Sequence, residues 1–347
     1  MSAPLRAAVV GVGRANVDPD LSGGFRIGYV HAKAYLEHPD VELVAGADIN
    51  PENLAAWQQE FGVPTGHLDY REMLETVRPD IVSICTYVGL HAQILVDCAN
   101  AGVRGVFCEK PFLAAPAEIA QVREAVAATG MKVSVAHIRR HLPVFRRTRE
   151  LVESGAIGSL LLCSASLPGW DLSEWGSHWL DIFRFFNSDD DAVWVMGQAR
   201  VRDRRGWGHA MEEHAVAYFG FANGCRAVLD AGGDLVQPYL MILTGSDGEL
   251  RLQGSTVRIA DADGVREETL PSEGDAWDDM WGSTVSGLVD WVGGGDEPTN
   301  GLTNALAANE LYLGAYLSVL KRDRVDLPLD DLSLAEWPLE QLAVPAA

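Results

Sequence analysis

The sequence predicts an α/β chain in two parts, a parallel-sheet domain over residues 1–137 and an α+β domain with a large, mostly antiparallel sheet over residues 138–347. Three observations predict it. Apolar strand-like runs alternate with helix-like segments as far as about residue 137, as parallel sheets require. The first run, Leu5 to Val10, ends in Gly11-Val12-Gly13, the turn that opens nucleotide-binding βαβ units. Beyond residue 138 the strand-like runs lengthen, and Asn223-Gly224 between two of them is a hairpin signal.

In that first turn, Gly11 permits a tight reversal and Gly13 lets backbone approach a pyrophosphate, whose charge the next helix N-terminus meets. The second strand, Val41 to Ala47, ends in Asp48. A carboxylate there accepts hydrogen bonds from both ribose hydroxyls and repels a 2′-phosphate, which predicts NAD rather than NADP. Together these features predict a Rossmann-type dinucleotide site. The third glycine is due about three residues after Gly13, where Arg14-Ala15-Asn16 stand. Gly28 is the next match, so residues 14–27, rich in Asn, Asp, Pro, Ser and Gly, read as an inserted loop over the pyrophosphate or the site mouth.

A helix follows from Pro51 to Phe61, opened by Pro51 and Glu52 and stopped by Gly62. Ile81 to Thr86 and Arg104 to Cys108 read as buried strands, the second running into Glu109-Lys110-Pro111. Ligands of such sheets lie beyond the carboxyl ends of the strands, so Asp48, Thr86, Tyr87, Glu109 and Lys110 are expected to converge on one crevice. A lysine held there is a candidate proton donor beside a nicotinamide.

In the second half a helix near Val144 to Ser154 ends at Gly155, and strands are expected over Glu213 to Phe221 and Arg226 to Asp230. The late apolar helix Leu302 to Leu320 is expected near the domain junction. Asp189-Asp190-Asp191 reads as a solvated acidic run. Residues 172–183 carry the other reactive groups: if helical, they set Glu174, His178 and Asp181 on one face. Such a face is either an acid/base constellation, with a carboxylate fixing the His178 tautomer, or the polar stripe of a capped helix facing water. Trp170, Trp175 and Trp179 are equally open, as stacking platforms for a sugar ring or as core.

Composition narrows the partners. At 347 residues and 48% hydrophobic, the chain can bury two cores. Its 27 basic against 49 acidic residues, a formal charge of −22, disfavour nucleic acid and anionic membranes. They also disfavour highly phosphorylated substrates, unless a local pocket around Arg139 and Arg140 overrides the field. No secretory segment or membrane-length apolar run is seen, and the five scattered cysteines fit buried thiols, so a cytoplasmic protein is expected. The histidine pairs His137/His141 and His209/His214 match no metal pattern, and no metal is expected.

Gly11-x-Gly13, Asp48, Thr86-Tyr87 with His91, Glu109-Lys110-Pro111 and Glu174-x-Gly176-x-His178-x-x-Asp181 together resemble the Gfo/Idh/MocA family of NAD(P)-dependent oxidoreductases over nearly the whole chain. The resemblance implies reversible oxidation of a secondary alcohol of a sugar or cyclitol, with hydride transfer to C4 of the nicotinamide. It implies NAD contacts at Gly11, Gly13, Arg14, Asp48, Thr86, Tyr87, His91, Glu109 and Lys110. It gives Lys110 the role of orienting the substrate hydroxyl, His178 that of proton acceptor, and Glu174 the place of a family aspartate. Asp181, Arg140 and Trp175 then stand around the substrate, and family habit implies a homodimer or homotetramer. Two other functions use the same scaffold: redox-neutral chemistry through transient oxidation, and non-catalytic dinucleotide sensing.

Overall fold

The structure, a computed structural model, describes residues 3–15, 26–204, 209–233, 235 and 240–343. The chain divides into two compact units, one of Met1–Leu113, Ala120–Ile138 and Asp278–Leu302, the other of Ala114–Ile119, Arg139–Trp277 and Thr303–Ala347. Among the described residues no helix is long and apolar enough to cross a membrane.

The first unit is built on six strands, β1 (Leu5–Val10), β2 (Val41–Ala47), β3 (Gly66–His67), β4 (Ile81–Ile84), β5 (Gly105–Cys108) and β6 (Lys132–Val135). They pair in parallel in the order β3-β2-β1-β4-β5-β6. Ala7, Ala8, Val9, Ile81, Val82, Val106 and Phe107 are fully buried, as a sheet covered on both faces demands. The helix Pro51–Phe61 forms where expected: the Asn50 side chain accepts the Glu52 and Asn53 N–H groups, and Gly62 closes it at φ +67°. From late in the sequence, the helix Trp277–Val292 covers this sheet so closely that a Cβ on Gly105 would lie 2.6 Å from Val292. Asn300 ties the β6 edge, exchanging hydrogen bonds with Val135 at 3.0 and 2.9 Å.

The second unit holds a nine-stranded sheet: β7 (Leu160–Pro168), β8 (Ala192–Arg204), β9 (Ala210–Phe221), β10 (Arg226–Gly232), β11 (Leu240–Gly245), β12 (Glu249–Gln253), β13 (Thr256–Asp261), β14 (Gly264–Thr269) and β15 (Val325–Asp326). The order is β14-β13-β12-β11-β7-β10-β9-β8-β15. Only β7 and β10 pair in parallel among the described pairings. The expected hairpin joins β9 and β10, with Gly224 at φ +88° and the Asn223 side chain accepting the Cys225 N–H. Along β9, Ala215, Ala217, Phe219 and Phe221 are buried and Val216 and Tyr218 are half-buried. The helix Leu302–Lys321 lies on β8, where a Cβ on Gly197 would stand 2.5 Å from the Ala315 carbonyl.

Asp189-Asp190-Asp191 is not a merely solvated run. Asp189 pairs with Arg140 at 2.7 Å and Arg149 at 2.9 Å, and Asp191 with Arg184 at 3.3 Å, because three buried or half-buried guanidinium groups need acceptors there. All five cysteines are free thiols.

Gly28 decides how the first helix, Ile27–Glu37, meets β1. A Cβ there would lie 2.6 Å from the Val12 carbonyl and 2.7 Å from that of Gly11, both rigid backbone. Gly28→Ala is therefore expected to destabilise the protein by about 1–3 kcal/mol and to weaken dinucleotide binding, read by thermal unfolding with and without NAD. An unchanged melting temperature would remove this contact from the folding of the unit.

Candidate active site

Parallel strands end on the same side of a sheet, so the first unit's candidate residues share one edge. Gly11 and Gly13 follow β1, Asp48 follows β2, Thr86 and Tyr87 follow β4, and Glu109 and Lys110 follow β5. β1 and β4 are neighbours at the point where the strand order reverses, the usual ligand crevice of such sheets. Gly11 at φ +81° turns into it so tightly that a Cβ would stand 2.8 Å from the Cys85 carbonyl, and Gly13 follows at φ +95°. The first turn of the helix Ile27–Glu37 abuts this turn through Gly28, which supplies the third-glycine packing expected of that position. Arg14 is exposed beside it, while residues 16–25 of the expected insertion lie outside the described residues.

Asp48 is half-buried, and its Oδ1 accepts the Asn50 N–H at 2.9 Å, which orients the carboxylate at the strand tip. His91 is a fastener. Its Nδ1 lies 3.0 Å from the Phe112 carbonyl oxygen and its Nε2 2.9 Å from that of Thr86, joining the loops that carry Thr86 and Lys110. Burial holds its pKa below the usual histidine range. Tyr87 is largely exposed and Lys110 half-buried.

Glu109 is buried, with its Oε1 3.1 Å from Nε2 of His31 and its Oε2 accepting the Lys110 N–H at 3.1 Å. Burial pushes its pKa up, but the hydrogen bond and attraction of His31, with Lys110, outweigh this and hold it below the usual carboxylate range. Behind it, Nδ1 of His31 meets the Ser83 hydroxyl at 2.8 Å, and Ser83 donates to the Tyr35 hydroxyl at 2.8 Å. His31 was not among the expected site residues. Its signal was the i,i+3 spacing from Gly28, which sets both on the helix face turned to the sheet.

In the second unit the helix begins at Gly176, so Glu174 does not share a helical face with His178 and Asp181. Asp171 is the reason: its Oδ1 accepts the N–H groups of Ser173 at 2.9 Å and Glu174 at 2.5 Å, winding residues 171–175 into a turn before the helix. His178 follows one turn later, 7% exposed, its ring centroid 6.1 Å from that of Trp175. Asp181 points into a buried ion network. Arg140 Nε donates to its Oδ2 at 2.8 Å and Oδ1 at 3.0 Å, and Asn304 donates to Oδ1 at 2.7 Å. Arg140 further donates to Asp189 and to Asn304, so its charge is matched on the spot.

A second unexpected residue, Glu212, underlies the turn. It is 1% exposed, accepts the Leu172 N–H at 2.6 Å, and takes the Tyr316 hydroxyl at 3.0 Å on both oxygens. Burial, then the charge of nearby Asp171, push its pKa up to about 7.

A model of an oxidoreductase family with an NAD-binding Rossmann fold matches residues 5–137, and that of a GFO/IDH/MocA C-terminal domain matches residues 145–259. The chain is 26% identical over 280 residues to myo-inositol 2-dehydrogenase of Thermotoga maritima, covering 77% of each protein. It is 26% identical over 329 residues to D-apiose dehydrogenase of Paraburkholderia graminis, covering 86% of each. Its fold matches the WlbA dehydrogenase of Bordetella pertussis, crystallised with NADH and UDP-GlcNAcA, at a TM-score of 0.77 and 21% identity over 94% of this chain and 100% of that one.

Because folding raises the Glu212 pKa, the stability this group contributes is complete below about pH 4.5 and is lost as pH rises through about 7. Thermal unfolding between about pH 5 and 8 should show the advantage of the native protein over Glu212→Gln shrinking as pH rises. A difference independent of pH would mean that Glu212 does not titrate in this range.

Proposed function

Since the chain belongs to the Gfo/Idh/MocA family of oxidoreductases, we propose that it is an NAD-dependent dehydrogenase that reversibly oxidises a secondary hydroxyl of a sugar, glycoside or inositol-type cyclitol to a ketone. The observation that carries this reading is Lys110, set at the carboxyl end of β5 by the buried Glu109–His31 pair, on the sheet edge that holds the glycine turn and Asp48. Similarity to dehydrogenases of myo-inositol and D-apiose supports a polyol substrate.

The residues present fit a dinucleotide: the positive φ angles of Gly11 and Gly13 leave backbone where side chains would crowd a pyrophosphate, and Asp48 at the tip of β2 would accept hydrogen bonds from the ribose hydroxyls. Bound there, it supplies a hydride acceptor at the nicotinamide C4. Everything else falls to side chains. Hydride leaves the carbinol carbon readily only as the hydroxyl proton departs, and His178 is the proton acceptor, a role that contributes about a hundred- to ten-thousand-fold in rate. The role given to Lys110 is to orient a substrate hydroxyl through its ammonium group. Glu174, longer by a methylene than an aspartate, accepts a hydrogen bond from a neighbouring hydroxyl. Thr86 and Tyr87 flank the cofactor. Asp181 and Arg140 are positioning residues: clamped to each other, they hold the helix from which His178 projects.

NADH absorbance should rise when the protein and NAD are mixed with a polyol, glycoside or inositol that it accepts, and not with NADP. No rise with any uncharged polyol, although NAD binds, would overturn the dehydrogenase reading. Lys110→Ala should lower kcat by about a hundredfold or more with the Kd for NAD nearly unchanged, and substantial residual turnover would remove Lys110 from the chemistry. Asp48→Ala should weaken NAD and narrow the gap to NADP; unchanged affinities for both would refute the role given to Asp48.

A further inference from the structure

Within the second unit, the helix Pro143–Glu153, strands β7, β11 and β12 and the segment leading into the helix Gly176–Phe186 surround a cavity of about 430 Å³, a size typical of small-molecule sites. It adjoins the proposed base, because Trp175, part of its wall, has its ring 6.1 Å from that of His178. The lining is mostly apolar. Phe145, Leu167, Met241, Leu252 and Pro271 present hydrocarbon, and Trp170, Trp175 and Trp179 present indole, the first two with ring centroids 4.6 Å apart. An aromatic ring gains stacking and hydrocarbon contact against the indole and aliphatic side chains that make up most of this wall.

Arg139 supplies the cationic group of the wall, beside the polar Ser255, Ser272 and Glu273. It is 6% exposed, with its guanidinium carbon 5.0 Å from the Trp175 ring and 4.8 Å from that of Trp179, and it donates from Nη2 to Glu273 at 3.1 Å. Its Nε is buried and has no acceptor in the protein, an uncommon condition for so strong a donor. Trp170, meanwhile, stays 46% exposed at a cavity wall, where an incoming ring covers it.

We propose that this cavity is a subsite for an aromatic aglycone, so that the substrate class is aryl glycosides, with the sugar at His178 and the aglycone against Trp170 and Trp175. The identity of the sugar end rests on the dehydrogenase reading above; the subsite stands on its own geometry. The test pairs turnover with binding. With NAD saturating, NADH formation from methyl and phenyl glycosides of D-glucose and D-galactose and from phenyl-free disaccharides is compared, and the phenyl and methyl glycosides are titrated calorimetrically in parallel. The phenyl compounds should exceed their methyl counterparts in kcat/KM by at least about tenfold, and Trp170→Ala should bring that ratio close to one. Trp170 is 46% exposed, so the variant is expected to fold, which its thermal unfolding checks; Met241→Phe, which narrows the cavity, should shrink the ratio in the same way. Equal kcat/KM for methyl and phenyl glycosides, or preference for the disaccharides, overturns the subsite and leaves the dehydrogenase standing. No NADH from any glycoside, with phenyl glycosides binding at least about tenfold tighter than methyl and Trp170→Ala abolishing the difference, supports the subsite and overturns the dehydrogenase.

Discussion

A charge taken out of water at the end of a central strand must be met by a partner or the strand end does not stay folded, and this constraint runs through both units. In the first, the charge is Glu109. Its position after β5 buries the carboxylate, and His31 on the first helix, backed by Ser83 and Tyr35, meets it. The helix is thereby bound to the sheet at two places, at Gly28 by shape and at His31 by hydrogen bonding. Lys110 is the next residue along the chain, so its backbone inherits the rigidity of the pair behind it. Removing one partner of a buried pair of this kind costs about 3–5 kcal/mol.

The second unit meets the same constraint twice. Asp181 and Arg140 fix the helix that carries His178, with Asn304 and Asp189 completing their hydrogen bonds. Asp171 and Glu212 fix the turn before it, one by accepting the N–H groups of Ser173 and Glu174, the other by accepting that of Leu172. Buried acceptors thus hold both the helix and the turn before it in place.

Several parts of this were legible in the residues alone. The strand ends carrying Gly11, Asp48 and Lys110 were legible because parallel strands leave short apolar runs closed by glycine or by a polar residue. Helix Pro51–Phe61 was legible from Pro51, Glu52 and Gly62 because start and stop signals are local. Glu212 was not, and the reason lies in β9. The buried positions Ala215, Ala217, Phe219 and Phe221 alternate, so that pattern carried backwards buries Glu213 and exposes Glu212. Instead Arg200 faces His214 and Val201 faces Glu212, leaving Glu213 as an extra residue, and this bulge turns Glu212 inward. Glu174 was misplaced onto a helical face for a related reason. Spacing of four and three residues reports a helix only where the helix exists, and the Asp171 turn delays its start to Gly176.

Local chemistry in the chain was enough for the class of fold, for the parallel sheet of the first half and for the residues at the carboxyl ends of its strands, since each depends on neighbours a few positions apart. What the folded chain alone decided was partnership: that His31 meets Glu109 across 78 positions, that Arg140 meets Asp181 across 41, and that Tyr316 meets Glu212 across 104. Those pairings follow from burial. A side chain's need for a partner is written in its type, but which partner it finds depends on which distant segments the sheets bring together, and no periodicity along the chain records that.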